Sequence, residues 1–328
     1  MKKIIIPTWL TAALLIAMTT GCKEMERPLN ISRVEMSVFP GSEKAVTKGY
    51  SEGEEFYETT SQTLHSEMKA VTPRTMQISA YLYPQNGTEG NYFVGKTFSR
   101  LKNGTEVWVN TNTVGGEHDP IYWPVEGKVD FLAYSISAEG TKNIVAEWDV
   151  KNASSCVTLS VPGENSQNDI LYASAYGIPS SQASKSVGLG FKHAQAWLEF
   201  ELTGTPDSIK LERIVIENAF NAGKLVLRNG NGEATAVWNF ADDLRQDISV
   251  DNPMGICELN DKPQFLDILI PQQSKTSLGI YYSEGTSPAV EKFYRIETDK
   301  KTWIMGEKYT YKININASEI TASATSTE

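Results

Sequence analysis

Residues 225–238 read Leu-Val-Leu-Arg-Asn-Gly-Asn-Gly-Glu-Ala-Thr-Ala-Val-Trp, and this stretch decides the fold class. Two short apolar runs, Leu225–Leu227 and Ala236–Trp238, flank Asn229-Gly230-Asn231-Gly232. Asn and Gly accept the positive φ angles that a tight hairpin turn demands, so the stretch predicts a β-hairpin. The same signal extends outward in both directions. Leu198, Phe200 and Leu202 alternate with Glu199 and Glu201, and Tyr309, Tyr311, Ile313 and Ile315 alternate with Thr310, Lys312 and Asn314. Ile78, Ala80 and Leu82 alternate with Ser79 and Tyr81, and Val157, Leu159 and Val161 with Thr158 and Ser160. A period of two predicts half-buried strands. The denser runs Val129–Tyr134 and Phe265–Ile270 predict strands covered on both faces. Tyr281–Thr286 carries a second turn signal. No long 3.6-residue period is present. Ser51–Ala70 spaces Phe56, Leu64 and Met68 loosely at helical intervals but is otherwise polar, which predicts a loop with at most a short helix. The chain is therefore expected to be all-β, built from β-sandwiches.

Gly177-Ile178-Pro179-Ser180-Ser181-Gln182-Ala183-Ser184 is small and polar and separates two sets of strand signals. It divides the chain into blocks at 76–178 and 185–328, each near the common domain size. With 328 residues, 40% hydrophobic, the chain is long enough to bury a substantial core and too apolar to be a disordered tail. Thirty basic residues against forty acidic ones give a net charge of −10, and the basic residues are scattered. This argues against nucleic acid as a partner.

The first residues read as an address. Met1-Lys2-Lys3 precedes a mostly apolar run from Ile4 to Met18, which ends at Thr19-Thr20-Gly21-Cys22. The run is too short to span a bilayer and carries the flanks of a secretory signal. Gly21-Cys22 resembles a bacterial lipobox, with Thr19 where Leu is usual. This predicts removal of residues 1–21 and lipidation of Cys22, whose acyl chains would hold the protein to the outer membrane. Lys23-Glu24-Met25-Glu26 looks like an acid-rich tag for the outer face of that membrane. Loss of Lys2 and Lys3 with the leader moves the net charge from −10 to −12. An acidic surface repels anionic headgroups, so the lipid and not a basic patch would supply the anchor.

No constellation for catalysis stands out, and neither a cofactor nor a metal is expected. His65, His118 and His193 are isolated, and no Cys-x-x-Cys, His-Glu-x-x-His or Gly-x-Ser-x-Gly pattern occurs. Gly188-Leu189-Gly190 lacks the third glycine and the helix of a dinucleotide loop. His193, at the start of a strand signal, is expected to be a hydrogen-bonded structural residue. Cys156 and Cys257 are expected to be buried free thiols, although an exported setting permits a disulfide. The tryptophans beyond the leader (Trp108, Trp123, Trp148, Trp197, Trp238 and Trp303) are expected to fill cores rather than to stack on sugars. Asp207-Ser208-Ile209 fits a short motif for O-glycosylation in exported bacterial proteins.

Several stretches, taken together and in order, resemble the fimbrillin family of type V pilus subunits. They are Tyr122-Trp123-Pro124 leading into Val129–Tyr134, Asp169-Ile170-Leu171-Tyr172-Ala173, and Phe191-Lys192-His193-Ala194 with Leu198-Glu199-Phe200. Leu269-Ile270-Pro271-Gln272 follows, then Trp303 with Gly306–Tyr311. The resemblance runs from about residue 30 to residue 316. It implies two tandem transthyretin-like β-sandwiches, lipoprotein export and partnership with other fimbrillin subunits. In stalk subunits of that family a protease cuts after a basic residue, removes a leading strand and opens a groove, which another subunit's extended segment fills. Here Val34, Met36 and Val38 alternate with Glu35 and Ser37, so residues 31–39 are the expected leading strand, packed on the first sandwich within a linker at 22–75. Lys48, in Val46-Thr47-Lys48-Gly49, and Arg74, in Thr72-Pro73-Arg74-Thr75, are the candidate cleavage points, which makes 22–75 a candidate propeptide. Lys48 departs from the arginine usual in the family, and Arg74 lies close to the next strand. Retention of the segment would instead give an anchor subunit. The alternative function is a non-polymerising surface lipoprotein that binds glycans or host matrix.

Overall fold

The computed structural model describes residues 31–40, 75–100, 108–114, 117–136, 144–149, 156–162, 168–183, 186–204, 209–230, 233–250, 257–259, 263–284, 290–299, 301–316 and 320–327. Residues 1–21, Cys22, Lys48 and Arg74 lie outside them, as do Ser51–Ala70 and Asp207-Ser208. Among the described residues regular structure is almost wholly strand, with two short 3₁₀ turns at Ser180–Gln182 and Asp242–Leu244. No helix there is long and apolar enough to cross a membrane.

The first half is built on an eight-stranded sheet. Its order is Val187–Leu189, Ser37–Pro40, Trp108–Asn110, Gly90–Arg100, Thr75–Tyr83, Lys128–Ile136, Ile170–Pro179 and Lys192–His193. The two ends of this order, Leu189 and Lys192, are separated in the chain only by Gly190 and Phe191. So short a link reaches roughly 10 Å at most. The sheet must therefore wind round until its edges nearly meet, in the manner of a barrel. The wound interior holds Met36, Val38, Ile78, Ala80, Phe98, Trp123, Phe131 and Val187.

The other face of the same sheet is covered too. Along Lys128–Ile136, Val129, Phe131 and Ala133 enter the wound interior, whereas Leu132 and Tyr134 enter a second core. The dense run at Val129–Tyr134 is thus a strand buried on both faces, as its composition predicts. Thr75–Tyr83 departs from the half-buried strand that its alternation predicts: Ile78 and Ala80 face one side, and the intervening Ser79 and Tyr81 are also buried, because the sheet is covered on both faces. The covering layer is a four-stranded sheet of Val145–Asp149, Cys156–Val161, Gly223–Gly230 and Glu233–Asn239. Its last two strands are the hairpin read from Asn229–Gly232, with Leu225 opposite Trp238 and Leu227 opposite Ala236. This hairpin lies beyond residues 179–184, yet it pairs with Cys156–Val161 and fills the second core with Leu225, Leu227, Ala236 and Trp238. Val187–Leu189 and Lys192–His193, also beyond that stretch, belong to the first sheet.

The second sandwich sets Gln264–Pro271, Gln195–Gly204, Lys308–Ile315 and Ile320–Thr327 against Arg245–Val250, Ile209–Phe220, Leu278–Glu284 and Val290–Ile296. Leu198, Phe200 and Leu202 meet Tyr309, Tyr311, Ile313 and Ile315 in one core with Ile214, Ile216, Leu278 and Ile280. These alternating sets are the ones the sequence marks. Gln195–Gly204 and Lys308–Ile315 run parallel, with Glu199 opposite Thr310. The buried Glu199 accepts from Lys308 Nζ at 2.8 Å and Thr310 Oγ1 at 3.2 Å. Phe265–Ile270 departs from expectation at its start, since Phe265 is exposed and only the later residues are covered.

Candidate functional site

The leading segment enters the first sandwich in two pieces. Ile31–Glu35 pairs with Tyr122–Pro124, and its register is irregular between Ile31 and Glu35. Ser37–Pro40 leaves that partner and inserts between Trp108–Asn110 and Val187–Leu189. The change of partner falls at Met36, whose N–H donates to the Ile121 carbonyl at 2.6 Å. Met36 and Val38 are fully buried, whereas Val34 is 44% exposed. A single continuous strand over 31–39 would turn all three to one face. The break at Met36 explains why Val34 does not follow the other two.

Ser37–Pro40 acts as the stave that closes the wound sheet. It runs antiparallel to Trp108–Asn110, with Val38 opposite Trp108, and parallel to Val187–Leu189, with Val38 opposite Val187. The Ser37 and Ser186 hydroxyls share a hydrogen bond of 2.8 Å. Around it, Trp108, Phe98, Val187 and Leu189 line the same core as Met36 and Val38. The Tyr92 hydroxyl donates to the carbonyl of Tyr122, the residue opposite Glu35. Burial pushes the Tyr92 phenol up to about 12, which keeps it a neutral donor at this seam. Removing the leading segment would leave two strand edges unpaired and an apolar trough between them. Such edges are templates for another strand.

Val187–Leu189, which falls in the block 185–328 by sequence, forms the opposite wall of this seat. Its three residues carry no pattern that names a partner so distant in the chain. Trp108 fills the core as expected and in addition stands opposite Val38 in the strand pairing.

The C-terminal residues, which look like a polar tail in sequence, form the strand Ile320–Thr327. It pairs antiparallel with Lys308–Ile315 from Ile315–Ile320 to Lys308–Thr327 and is the last strand of its sheet. Thr321 and Ser323 are exposed and Ile320 packs partly on the core. The β-branched Thr and Ile residues suit a pleated edge despite low hydrophobicity.

The remaining candidates are structural. His193 is buried, and its Nδ1 lies 2.9 Å from Asp169 Oδ1, as expected of a structural histidine. Cys156 is a free thiol. Trp108, Trp123, Trp197, Trp238 and Trp303 are buried in the cores, and Trp148 is half-buried and packs against the second core. Among the described residues no group of His, Cys, Asp and Glu side chains could hold a metal ion.

The sequence profile of the fimbrillin-like family matches residues 69–328. Among curated proteins none matches the chain. Solved structures share its architecture. A fimbrial protein from Bacteroides vulgatus is 16% identical, overlaps 82% of this chain and 96% of its own, and superposes with a TM-score of 0.50. A protein assigned to cell adhesion from Bacteroides ovatus is 14% identical over 77% of this chain and 86% of its own, also with a TM-score of 0.50. At these identities the likeness concerns the fold alone.

Proposed function

The chain belongs to the fimbrillin-like family, and from that premise we propose that it is a surface fimbrial subunit assembled by strand replacement. The observation that carries this reading is the seat of Ser37–Pro40 between two strand edges that nothing else joins among the described residues. The leading segment is the protein's own temporary filler. Cleavage after Lys48 or Arg74 frees it, and an extended segment of another subunit takes the vacated place. Each buried apolar side chain that the incoming strand supplies in place of Met36 and Val38 contributes about 1.5–3 kcal/mol. New backbone hydrogen bonds to Trp108–Asn110 and Val187–Leu189 add to this. The terminal segment best suited to leave its own sheet is Ile320–Thr327, which among the described residues borders only Lys308–Ile315 and whose Ile320 is partly buried against the core. Export as a lipoprotein on Cys22 places the subunit at the outer membrane before assembly.

The test compares the full chain with the chain lacking residues 23–48, by light scattering on a sizing column. Assembly by strand replacement expects a concentration-dependent ladder of oligomers from the shortened chain only. A stable, folded monomer after that deletion overturns the groove. The N-terminus and intact mass of the native protein give the second readout. Acylated Cys22 on the uncut chain identifies an anchor, and a free N-terminus at Gly49 or Thr75 identifies a matured subunit.

A further inference from the structure

The second sandwich carries an ordered aromatic row on its outer face that its core does not use. Along Leu278–Glu284, Leu278 and Ile280 point into the core, so Gly279 and Tyr281 point outward. The register sets Arg213 opposite Tyr281 and Tyr281 opposite Phe293, three strands wide. The Arg213 guanidinium lies 3.9 Å above the Tyr281 ring, and the Tyr281 and Phe293 ring centres are 4.9 Å apart. Gly279 makes room for them. A Cβ there would stand 2.9 Å from Phe293 Cε2 and 3.3 Å from Tyr281 Cε2, inside contact distance.

A fixed polar rim surrounds the rings. Arg295, whose guanidinium is 5.8 Å from the Phe293 ring centre, meets Glu217 through Nε at 2.9 Å and a terminal nitrogen at 3.0 Å. Arg213 meets Glu291 at 3.2 Å. Phe293 nevertheless remains 47% exposed. Phe293 is one of several exposed rings of the protein, and what distinguishes it is the set of paired guanidinium and carboxylate groups beside it.

We propose that this face binds a neutral pyranose sugar, with Phe293 as the stacking surface. A pyranose presents C–H bonds on one face, and their partial positive charge matches the negative face of an aromatic ring. Its hydroxyls both donate and accept. The rim offers guanidinium N–H donors and carboxylate acceptors, held in place by their mutual pairing. Two arginines face three glutamates, Glu217, Glu291 and Glu297, so nothing on the platform selects an anionic saccharide. The net charge of −10 disfavours anionic ones. A protein partner fits less well, since one open ring falls far short of the roughly 800 Å² per side that a stable interface buries. The inference gives a ligand class to the surface fimbrial subunit proposed above and rests on that reading. It lies on the sandwich that does not hold the leading segment, so its failure leaves strand replacement standing.

The experiment probes immobilised hexose- and N-acetylhexosamine-terminated oligosaccharides, with sialylated and sulfated ones beside them, using the full chain. Phe293→Leu keeps bulk over Gly279 but removes the π face, and Phe265→Ala removes an exposed ring on the opposite sheet. The expected result is retention on neutral glycans, weakened at least about tenfold by Phe293→Leu and unchanged by Phe265→Ala. Three results overturn the proposal: no retention on any neutral glycan, retention on the charged glycans alone, or retention that Phe293→Leu leaves intact. Self-association of the full chain that Phe293→Leu abolishes would also overturn it, by assigning the face to a second copy. Thermal melts of both variants confirm that each binding comparison is made on folded protein.

Discussion

Val38 and Val187 sit opposite one another in the parallel pairing that closes the wound sheet, and both are buried. The closure therefore depends on a residue from the first of the described segments. Val38→Asp places a charge in that core and is expected to cost at least about 3 kcal/mol. Val34→Asp, on the exposed piece of the same segment, is expected to stay within about 0.5 kcal/mol. Denaturant unfolding of the full chain separates the two. Equal effects would contradict the break at Met36.

Trp238 ties the two halves of the chain together. It belongs to the second core, and its indole N–H donates to the Ala194 carbonyl at 2.6 Å. Its neighbours in that core include Leu132, Val157 and Leu159, from the first half of the chain. Trp238→Ala is expected to cost about 3–5 kcal/mol. Hydrogen exchange gives the sharper test. Amides of Cys156–Val161 should lose protection along with those of the hairpin, and loss confined to Gly223–Asn239 would show that the core is not shared.

What sequence reveals here is local pattern, and what it conceals is partnership. The hairpin at 225–238, the alternating sets around Phe200 and Tyr311, and the structural role of His193 follow from period and turn chemistry. These are set by neighbours a few residues away. Nothing local tells the hairpin to pair with Cys156–Val161 rather than with the strands that follow it. Val187–Leu189 is too short to show a period, and its place beside Ser37–Pro40 depends on the sheet winding round. Ile320–Thr327 has too few large apolar residues to register as a strand, because an edge strand exposes much of its length. The kink at Met36 is a hydrogen bond to Ile121, which leaves no mark on the alternation of Val34, Met36 and Val38. The outer-face row at Tyr281 and Phe293 had one available signal, Gly279 within an apolar strand, where a missing side chain admits a close neighbour.

Asp130 gives the first half of the chain a pH dependence of definite sign. It is buried, and Oδ1 accepts the N–H of Gly177, which has a φ of +64° at an irregularity in the strand pairing between Ala175 and Ile178. Burial raises its carboxyl above the ordinary value, and hydrogen bonds from Gly177 and Tyr83 pull the other way without cancelling this. A raised folded-state value means that the native chain binds more protons than the unfolded one. Stability from this group is then greatest at low pH and falls as pH rises from the ordinary carboxylate range through the raised value. Asp130→Asn removes that slope. Unfolding free energies between about pH 3 and pH 7 should therefore shift in favour of the variant as pH rises. A difference that does not change with pH would show that Asp130 titrates as a solvated carboxylate.

The tyrosines of the second sandwich set its alkaline limit. Burial pushes Tyr309 and Tyr311 up to about 12. The Tyr309 hydroxyl donates to Glu307 Oε2 at 2.6 Å and accepts the Ile304 N–H at 3.0 Å, while Tyr311 accepts the Trp303 indole N–H at 2.9 Å. An unfolded phenol ionises near pH 10. The folded state, holding its protons longer, keeps the full contribution of these groups below that pH and loses it as pH rises toward about 12. Absorbance of tyrosinate at about 295 nm and the far-ultraviolet signal of the sheets should then change together in this window. Tyr309→Phe removes the phenol that faces Glu307 and should move the alkaline transition upward, at the loss of about 1 kcal/mol of stability at neutral pH. Complete tyrosine titration near pH 10 with the sheets intact would contradict the burial of Tyr311, stacked on Phe200, and of Tyr309 under Lys275.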